Sequence, residues 1–568
     1  MLIGIDLGTT NSAVALWRDG QAQLVPNALG ELLTPSAISI DGEGMVHVGT
    51  PALDRMSSDP ANTAASFKRL MGTSRVTRLR GKDYKAEDLS ALILRALRDD
   101  VQALTGEAPR EAVITVPAYF NDRQRKATRR AGELAGLDVR RLINEPTAAA
   151  LAFGLSDRQD HEPFLVFDLG GGTFDVSIVE LFDGIVEVRA SSGDNRLGGD
   201  DFNAALAQAV LGRLDPLGRL GQCPPEQREA LLARAAERAR RQLSHNAEAD
   251  FALTLDDERL SARVTETDLE EACETLLARL RDPVIRSLRD SEVDLASLSE
   301  IVLVGGATRM PIVRRAITRM FGRFPNSTVH PDHAVALGAA MQAGLLARDS
   351  ALDEIRLTDV CPYTLGIDVA ERDGHGGLQQ GLFSPIIERN TPVPVSRVKS
   401  YHTLSDQQKR FSLGVFQGES RRVADNIQLG SLDIPVPPRP AGEVGIEVRF
   451  SYDSSGLLEV DVTVAETGLT HNLVILDEED RPSQQEIDKR REALARLKFH
   501  PREAAEHVAL MARAERFYEE FIGEQRAMIG QWISYFSNAL ASQEPRRIAE
   551  ARESLTAALD MLDEQPIL

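Results

Sequence analysis

One phrase is written twice in this chain. Ile5 to Leu16 reads IDLGTTNSAVAL and Phe167 to Val179 reads FDLGGGTFDVSIV, in each case an apolar strand, Asp-Leu-Gly, a turn of small residues and a second apolar strand. Glycine at such turns permits φ > 0 and lets backbone N–H groups approach a phosphate with no Cβ in the way, while threonine hydroxyls add donors. A single copy is equally an ordinary hairpin with a capping aspartate. Two copies facing each other can pinch one polyphosphate, with Asp6 and Asp168 turned toward a hard cation, Mg²⁺ held largely through water.

The sequence has no GxxxxGK[ST], so a P-loop is not expected. A third Gly-rich turn, IVLVGGATRMPIV at 301–313, reads as strand, Gly305-Gly306, then a helix with Pro311 in its first turn, a geometry suited to backbone contact with a nucleotide. A fourth, RLGGDDF at 196–202, repeats the device with Gly198 and Gly199.

At 568 residues the chain should hold about three to five domain-sized units. The first 350 or so residues alternate short apolar strands (112–116, 164–167, 301–305) with helical periodicity such as LSALILRAL at 89–97, the pattern of an α/β domain or pair of lobes. Near 349–361 the composition turns polar, which places a linker there. From 361 to 477 period-two runs appear, FSLGVF, IEVRF and LEVDVTV, predicting an all-β sandwich. After RPSQQE, where Ser483 and Glu486 form a capping-box pattern, the chain reads as helical to its end, with Leu555, Leu559 and Leu562 on one stripe. The predicted boundaries are 1–352, 353–359, 360–477 and 478–568.

The balance of 65 Lys and Arg against 86 Asp and Glu gives a net charge of −21, which disfavours nucleic acid and anionic membranes as partners. Cys223, Cys273 and Cys361 have neither disulfide-framework nor zinc spacing. There is no apolar run of about 18 residues and no signal-like start, so a cytoplasmic protein without membrane insertion is expected.

GIDLGTTNS, VPAYFNDRQR (116–125), LINEPTAAAL (142–151), FDLGGGTFDVS, GDNRLGGDDF (193–202), LVGGATRMP and VCPYTLGIDV (360–369) form an ordered series. Together they closely resemble the DnaK-type chaperones of the heat-shock-70 family. DLGT alone would admit actins and sugar kinases. FSPIIERNTPVPVSRV at 383–398 and the modest length look most like the HscC subgroup.

The resemblance implies a multidomain chain: an actin-like two-lobed α/β ATPase domain, an all-β sandwich that binds peptide, and a short α-helical lid. The doubled phrase would mark the pseudo-twofold origin of the lobes. ATP or ADP with Mg²⁺ would lie between them, held by Thr9, Thr10 and Asn11 on one side and Gly170, Gly171, Gly172 and Thr173 on the other. Asp6, Asp168, Glu145 and Asp175 would shape the cation and attacking-water region. Lys68, in SFKRLMG, matches the lysine that orients water and γ-phosphate; without the match, a solvated surface lysine is the ordinary reading. Glu237, Arg240 and Ser244, on the helix REALLARAAERARRQLS (228–244), with Gly305, Gly306, Arg309 and Asp332, would complete the adenosine site. Arg240 stands where the family usually has lysine and Ala307 where many relatives have serine.

In the β segment the plain reading of Phe411, Leu413 and Val415 is a sandwich core. The resemblance maps Ile367, Val369, Tyr401, Phe411 and Leu413 onto a cleft for extended apolar peptides, with Ala370 and Leu404 as the arch over it. Pro117, Arg125, Leu357 and Asp359 match positions that relay nucleotide state. The linker reads Ile355, Arg356, Leu357, Thr358 rather than four aliphatics, which predicts weaker docking and coupling. The trimmed stretches between Lys68 and VPAYF and at 252–272 predict faster unaided nucleotide exchange or a different exchange factor. Pro501 should break the lid helices, and the ending at Pro566, Ile567 and Leu568 argues against tail-dependent adaptors. Expected partners are unfolded polypeptides and a J-domain co-chaperone. The rival readings are an actin-like ATP-regulated filament or scaffold protein, which would lack the β domain, and a metabolite kinase, which would need an aspartate base beside a sugar pocket.

Overall fold

The structure is a computed structural model. It describes all residues except 57, 157–162, 183–184, 256–257, 327–329, 349–351, 353–355, 373–376, 454–455, 476–504 and 564–568. The predicted capping box at Ser483 and Glu486, the break at Pro501, linker residue Ile355 and the terminal Pro566 to Leu568 lie outside the described residues. The chain divides into two compact units, Met1–Tyr363 with Arg389–Pro392, and Thr364–Glu388 with Val393–Leu568.

In the first unit the doubled phrase becomes doubled topology. Leu2–Asp6 is a central strand, antiparallel to Asn11–Arg18 on one side and parallel to Glu111–Val116 on the other. Phe164–Leu169 has the same neighbours in a second sheet, antiparallel to Phe174–Phe182 and parallel to Ile301–Val304. The two hairpins differ by one step. The first strand ends at Asp6, opposite Ala13, whereas the second continues past the Asp168↔Asp175 pair to Leu169↔Phe174. Leu169 and Phe174 are fully buried, and that packing favours the extra pair. Strands with apolar residues on both faces, such as FLVFDL, suit sheets covered on both sides.

Each lobe has its own apolar core. One gathers Ile3, Ile5, Phe67, Met71, Ile93 and Ile114, the other Phe167, Phe174, Phe202, Phe251 and Val313. A third cluster joins the helices Glu145–Ser156 and Ala334–Leu346 to strands of both sheets. Ala334–Leu346 is apolar nearly all round, the signature of a buried helix. Two glycines let it pass close to its neighbours: a Cβ on Gly338 would sit 1.8 Å from the Ala148 carbonyl oxygen, and one on Gly344 would sit 2.7 Å from the Trp17 ring. The predicted helix at 89–97 is the middle of Ala86–Thr105. The shortened 252–272 stretch is a hairpin, Glu248–Leu255 with Glu258–Thr265, followed by the helix Glu266–Ala272, which Thr265 caps. Arg356–Val360 adds to the second sheet, parallel to Ile185–Asp194.

The second unit contains the predicted sandwich. One sheet runs in the order Leu378–Ile387, Leu365–Arg372, Arg410–Gln417, Ile427–Pro435, and the other Val395–His402, Gly445–Tyr452, Leu458–Val464, Thr470–Ile475. Helices Ala505–Glu520, Gly523–Ser542 and Pro545–Asp563 follow and bury Leu555, Leu559 and Leu562 with Phe517, Ile529 and Phe536.

Candidate functional site

The two Gly-rich turns meet in the first unit. A Cβ on Gly171 would lie 1.6 Å from Thr10 Oγ1, and one on Gly172 2.6 Å from Thr9 Cγ2. The turn at 198–199 closes on the same place: Gly199 N donates to the Gly170 carbonyl at 2.9 Å, and Asp200 N to that of Gly171 at 2.8 Å. Gly305, at φ 80°, brings the third turn against the second hairpin, with a hypothetical Cβ 2.3 Å from the Leu169 carbonyl oxygen. Such closeness leaves no room for a side chain at Gly171, Gly172 or Gly305.

Four carboxylates and one lysine lie beneath the turns. Lys68 is 3 % exposed, so the surface-lysine reading fails; its Nζ donates to Glu145 Oε1 at 2.6 Å. Asp6 Oδ1 accepts from Thr115 Oγ1 at 3.0 Å, and Asp175 Oδ1 from the Tyr119 N–H at 3.2 Å. Burial, then the Glu145 charge, pushes the Asp6 carboxyl up to about 7 and that of Asp175 up to about 8. Asp168 is raised well above the usual carboxylate range by burial, then by Glu145, Asp175 and Asp6. In each case Lys68 opposes the shift without cancelling it. One ammonium therefore leaves this site short of positive charge.

Two buried atoms at the centre, Thr10 Oγ1 and Asp168 Oδ2, have no hydrogen-bond partner among the described residues. Orphans of this kind cost free energy unless a ligand satisfies them. A divalent cation with a polyphosphate fits both the surplus of carboxylate and the unpaired hydroxyl. Among the described residues no group of three His, Cys, Asp or Glu side chains is arranged to hold a metal ion.

The residues expected to hold adenosine lie on two further elements. On the helix Pro225–Leu243, Glu237 pairs with Arg241 at 2.7 Å, Arg240 Nε donates to Asn203 Oδ1 at 2.7 Å, and Ser244 at its C-cap donates to the Arg240 carbonyl at 3.2 Å. The Arg309 guanidinium joins Asp332 at 2.5 Å, and a Cβ on Gly306 would meet that same carboxylate at 2.9 Å. Arg125 Nη2 donates to Asn144 Oδ1 at 2.6 Å, and Asn144 Nδ2 lies 2.8 Å from both oxygens of Asp359, whose carboxyl burial raises. Leu357 packs against the apolar cluster that joins the two lobe sheets, and Pro117 is buried.

In the second unit Ile367 and Leu413 are almost fully buried, whereas Val369, Tyr401, Leu404 and Phe411 are half-buried. Strands Leu365–Arg372 and Arg410–Gln417 pair from Leu365↔Gln417 to Ile367↔Val415. At the next step the Asp368 carboxylate, not its carbonyl, accepts the Gly414 N–H, at 2.5 Å. Tyr401 reaches from the other sheet to Ser384, their hydroxyls 3.0 Å apart.

Sequence reasoning missed several participants. Thr115 and Asn144 are polar residues at buried strand positions, a signal that could have found them. Tyr119 holds Asp175 through its backbone, and no side-chain pattern encodes that. Arg69 was hidden beside Lys68.

Twin hairpins gripping a carboxylate-rich, cation-short cleft define a two-lobed phosphate-binding ATPase. The Hsp70 protein family model matches residues 2–566. The chaperone protein DnaK of Thermotoga maritima is 41% identical over 527 residues, 90% of this chain and 86% of that protein. The DnaK proteins of Thermosipho melanesiensis and Thermosipho africanus are each 41% identical, over 521 and 519 residues, 88% of this chain and 86% and 85% of theirs. The chain belongs to the Hsp70 family.

Proposed function

We propose that this protein is an ATP-dependent chaperone that binds extended apolar segments of unfolded polypeptides in its β-sandwich and releases them under control of ATP binding and hydrolysis. The observation that carries the ATPase half is the pair of unpartnered atoms, Thr10 Oγ1 and Asp168 Oδ2, between the doubled turns and above the Lys68–Glu145 pair. Mg²⁺ when bound would neutralise charge on the transferring phosphoryl group, and Asp6 and Asp168 would hold it, mostly through water.

The chain's own residues do the rest. Backbone N–H groups of the Gly-rich turns and the hydroxyls of Thr9, Thr10 and Thr173 bind phosphate oxygens, with Asn11 beside them. Lys68, fixed by Glu145, neutralises charge and orients the attacking water, and Asp175, held by the Tyr119 N–H, helps to shape the region around that water. Phosphoryl transfer of this kind needs positioning and charge rather than a protein nucleophile.

The functional limits proposed are an ATPase domain at 1–352, a linker at 353–359, a peptide-binding domain at 360–477 and a lid at 478–568. Ile367, Val369, Tyr401, Leu404, Phe411 and Leu413 form the peptide cleft, where main-chain pairing gives generic affinity and an apolar pocket gives loose selectivity. Arg125, Asn144 and Asp359 form a hydrogen-bonded chain suited to reporting nucleotide state to the linker strand. A J-domain co-chaperone and a cytoplasmic site of action follow from the family reading, and an exchange factor is optional. Placement in the HscC subgroup rests on the 383–398 phrase. An actin-like scaffold is disfavoured by the sandwich unit. Among the described residues no helix is long and apolar enough to cross a membrane.

The deciding experiment is release of a labelled apolar peptide with and without ATP. Acceleration by ATP supports the reading; identical release kinetics overturn it.

A further inference from the structure

Arg69 follows Lys68 on the short helical turn Phe67–Leu70, which is anchored in the first-lobe core by Phe67 and the adjoining Met71. Its guanidinium reaches the other lobe. Nη1 donates to Asp201 Oδ1 at 3.2 Å and Nη2 to Asp201 Oδ2 at 2.5 Å, with the Gly171 carbonyl oxygen 3.5 Å from Nη2. Three positions earlier Ser66, in the left-handed region at φ 54°, donates to Asp200 Oδ2 at 2.7 Å. Asp200 and Asp201 occupy the first turn of the helix Gly199–Leu214, which Phe202 and Leu206 root in the second-lobe core. Two side chains of one lobe thus grip consecutive acids of the other, beside the turn at 170–172. Arg69 Nε is buried and has no hydrogen-bond partner among the described residues, and a Cβ on Gly172 would lie 2.8 Å from it.

A second ion pair also crosses between the lobes, Arg234 with Asp54 at 3.3 Å, but those side chains are 34% and 69% exposed. Solvent and salt screen such a pair. Arg69 and Asp201 are 25% and 26% exposed and meet as a two-pronged fork, the stronger geometry. A nucleotide pinched between the turns cannot leave until the lobes part, and these contacts must break first.

We propose that the Arg69–Asp201 fork, with Ser66–Asp200 beside it, is the clasp that holds the lobes closed over the nucleotide and sets the rate of ADP release. Arg69 is on this account a positioning residue for the phosphate turn, and the idea rests on the nucleotide reading of the cleft. It also gives the trimmed chain an internal control of exchange.

The test is dissociation of fluorescent mant-ADP from the full-length protein, run beside single-turnover ATP hydrolysis. Arg69→Gln should speed release about tenfold, the order expected for losing a charge-assisted fork. Arg234→Gln should change it by less than about twofold. Arg69→Lys, which keeps the charge but not the fork, should fall between wild type and Arg69→Gln, and it serves if the glutamine variant does not fold. Asp201→Asn should make the further change to Arg69→Gln nearly silent, because the partner is already lost. Unchanged release in Arg69→Gln, or slowed hydrolysis with release unaltered, would overturn the clasp while leaving the nucleotide site standing. Failure of the wild-type protein to bind mant-ADP at all would overturn both.

Discussion

Lys68 Nζ lies 2.6 Å from Glu145 Oε1 in a position where the two side chains are only 3% and 10% exposed. A buried pair of this kind is held against desolvation by its surroundings, and removing one partner strands the other. Lys68→Ala should therefore cut ATP turnover by about a hundredfold or more while nucleotide still binds, since the backbone donors of the turns remain. Steady-state phosphate release and equilibrium titration with a fluorescent nucleotide separate the two; unchanged turnover would remove Lys68 from the chemistry.

The raised carboxyls make the ligand-free protein sensitive to pH. Asp6 near about 7 and Asp175 near about 8 keep protons that the unfolded chain releases near 4, so over that interval the folded state binds more protons. Stability must then fall as pH rises from about 4 through about 8. Melting of the nucleotide-free, cation-free protein should occur at progressively lower temperature from pH 5 to pH 8. Asp175→Asn should flatten that slope, and added Mg²⁺ with ADP should raise the melting point most at the alkaline end. A rising trend over the same range would contradict the carboxylate cluster.

Gly171 faces Thr10 so closely that a Cβ there would lie 1.6 Å from its hydroxyl. Gly171→Ala must push the two turns apart and should weaken ATP binding at least about tenfold, with little effect on peptide capture in the absence of nucleotide. Calorimetric titration with ATP gives the first number, and fluorescence anisotropy with a labelled peptide gives the second.

Phe411 and Leu413 were predicted to serve one cleft, yet their burial differs: Leu413 is 1% exposed and Phe411 is half-buried. Phe411→Ala should lower affinity for an apolar peptide about tenfold and move the melting temperature little. Leu413→Ala should cost about 2–5 kcal/mol of stability as well, and Leu413→Asp more, because it buries a charge. Anisotropy titrations paired with urea denaturation distinguish a lining residue from a core residue.

Asn144 links Arg125 to Asp359 through both ends of its amide. Asn144→Ala should leave basal hydrolysis within about twofold yet abolish the effect of ATP on peptide release, because the chain from Arg125 to the linker strand is cut. Full ATP-stimulated release in the variant would show that nucleotide state travels by another route.

Much of the architecture was legible because periodicity and turn chemistry are local. The runs at 112–116, 164–167 and 301–305 became strands, and Pro311 stands in the first turn of its helix as its fixed φ favours. Other contributions were not legible. Thr115 on Asp6, the Tyr119 N–H on Asp175 and Arg69 on Asp201 each join residues distant in the chain. No spacing rule reaches across such gaps.

The doubled phrase by itself determined that two similar hairpins would form and that their turns would offer backbone to a phosphate, because glycine acts through its own φ and ψ. Only the tertiary structure decided that Asp6, Glu145, Asp168 and Asp175 would share one Lys68, that Asp168 Oδ2 would be left without a partner, and that Arg69 would cross between the lobes. Charge balance, burial and closure depend on distances between remote parts of the chain, and those distances exist only once both cores have packed.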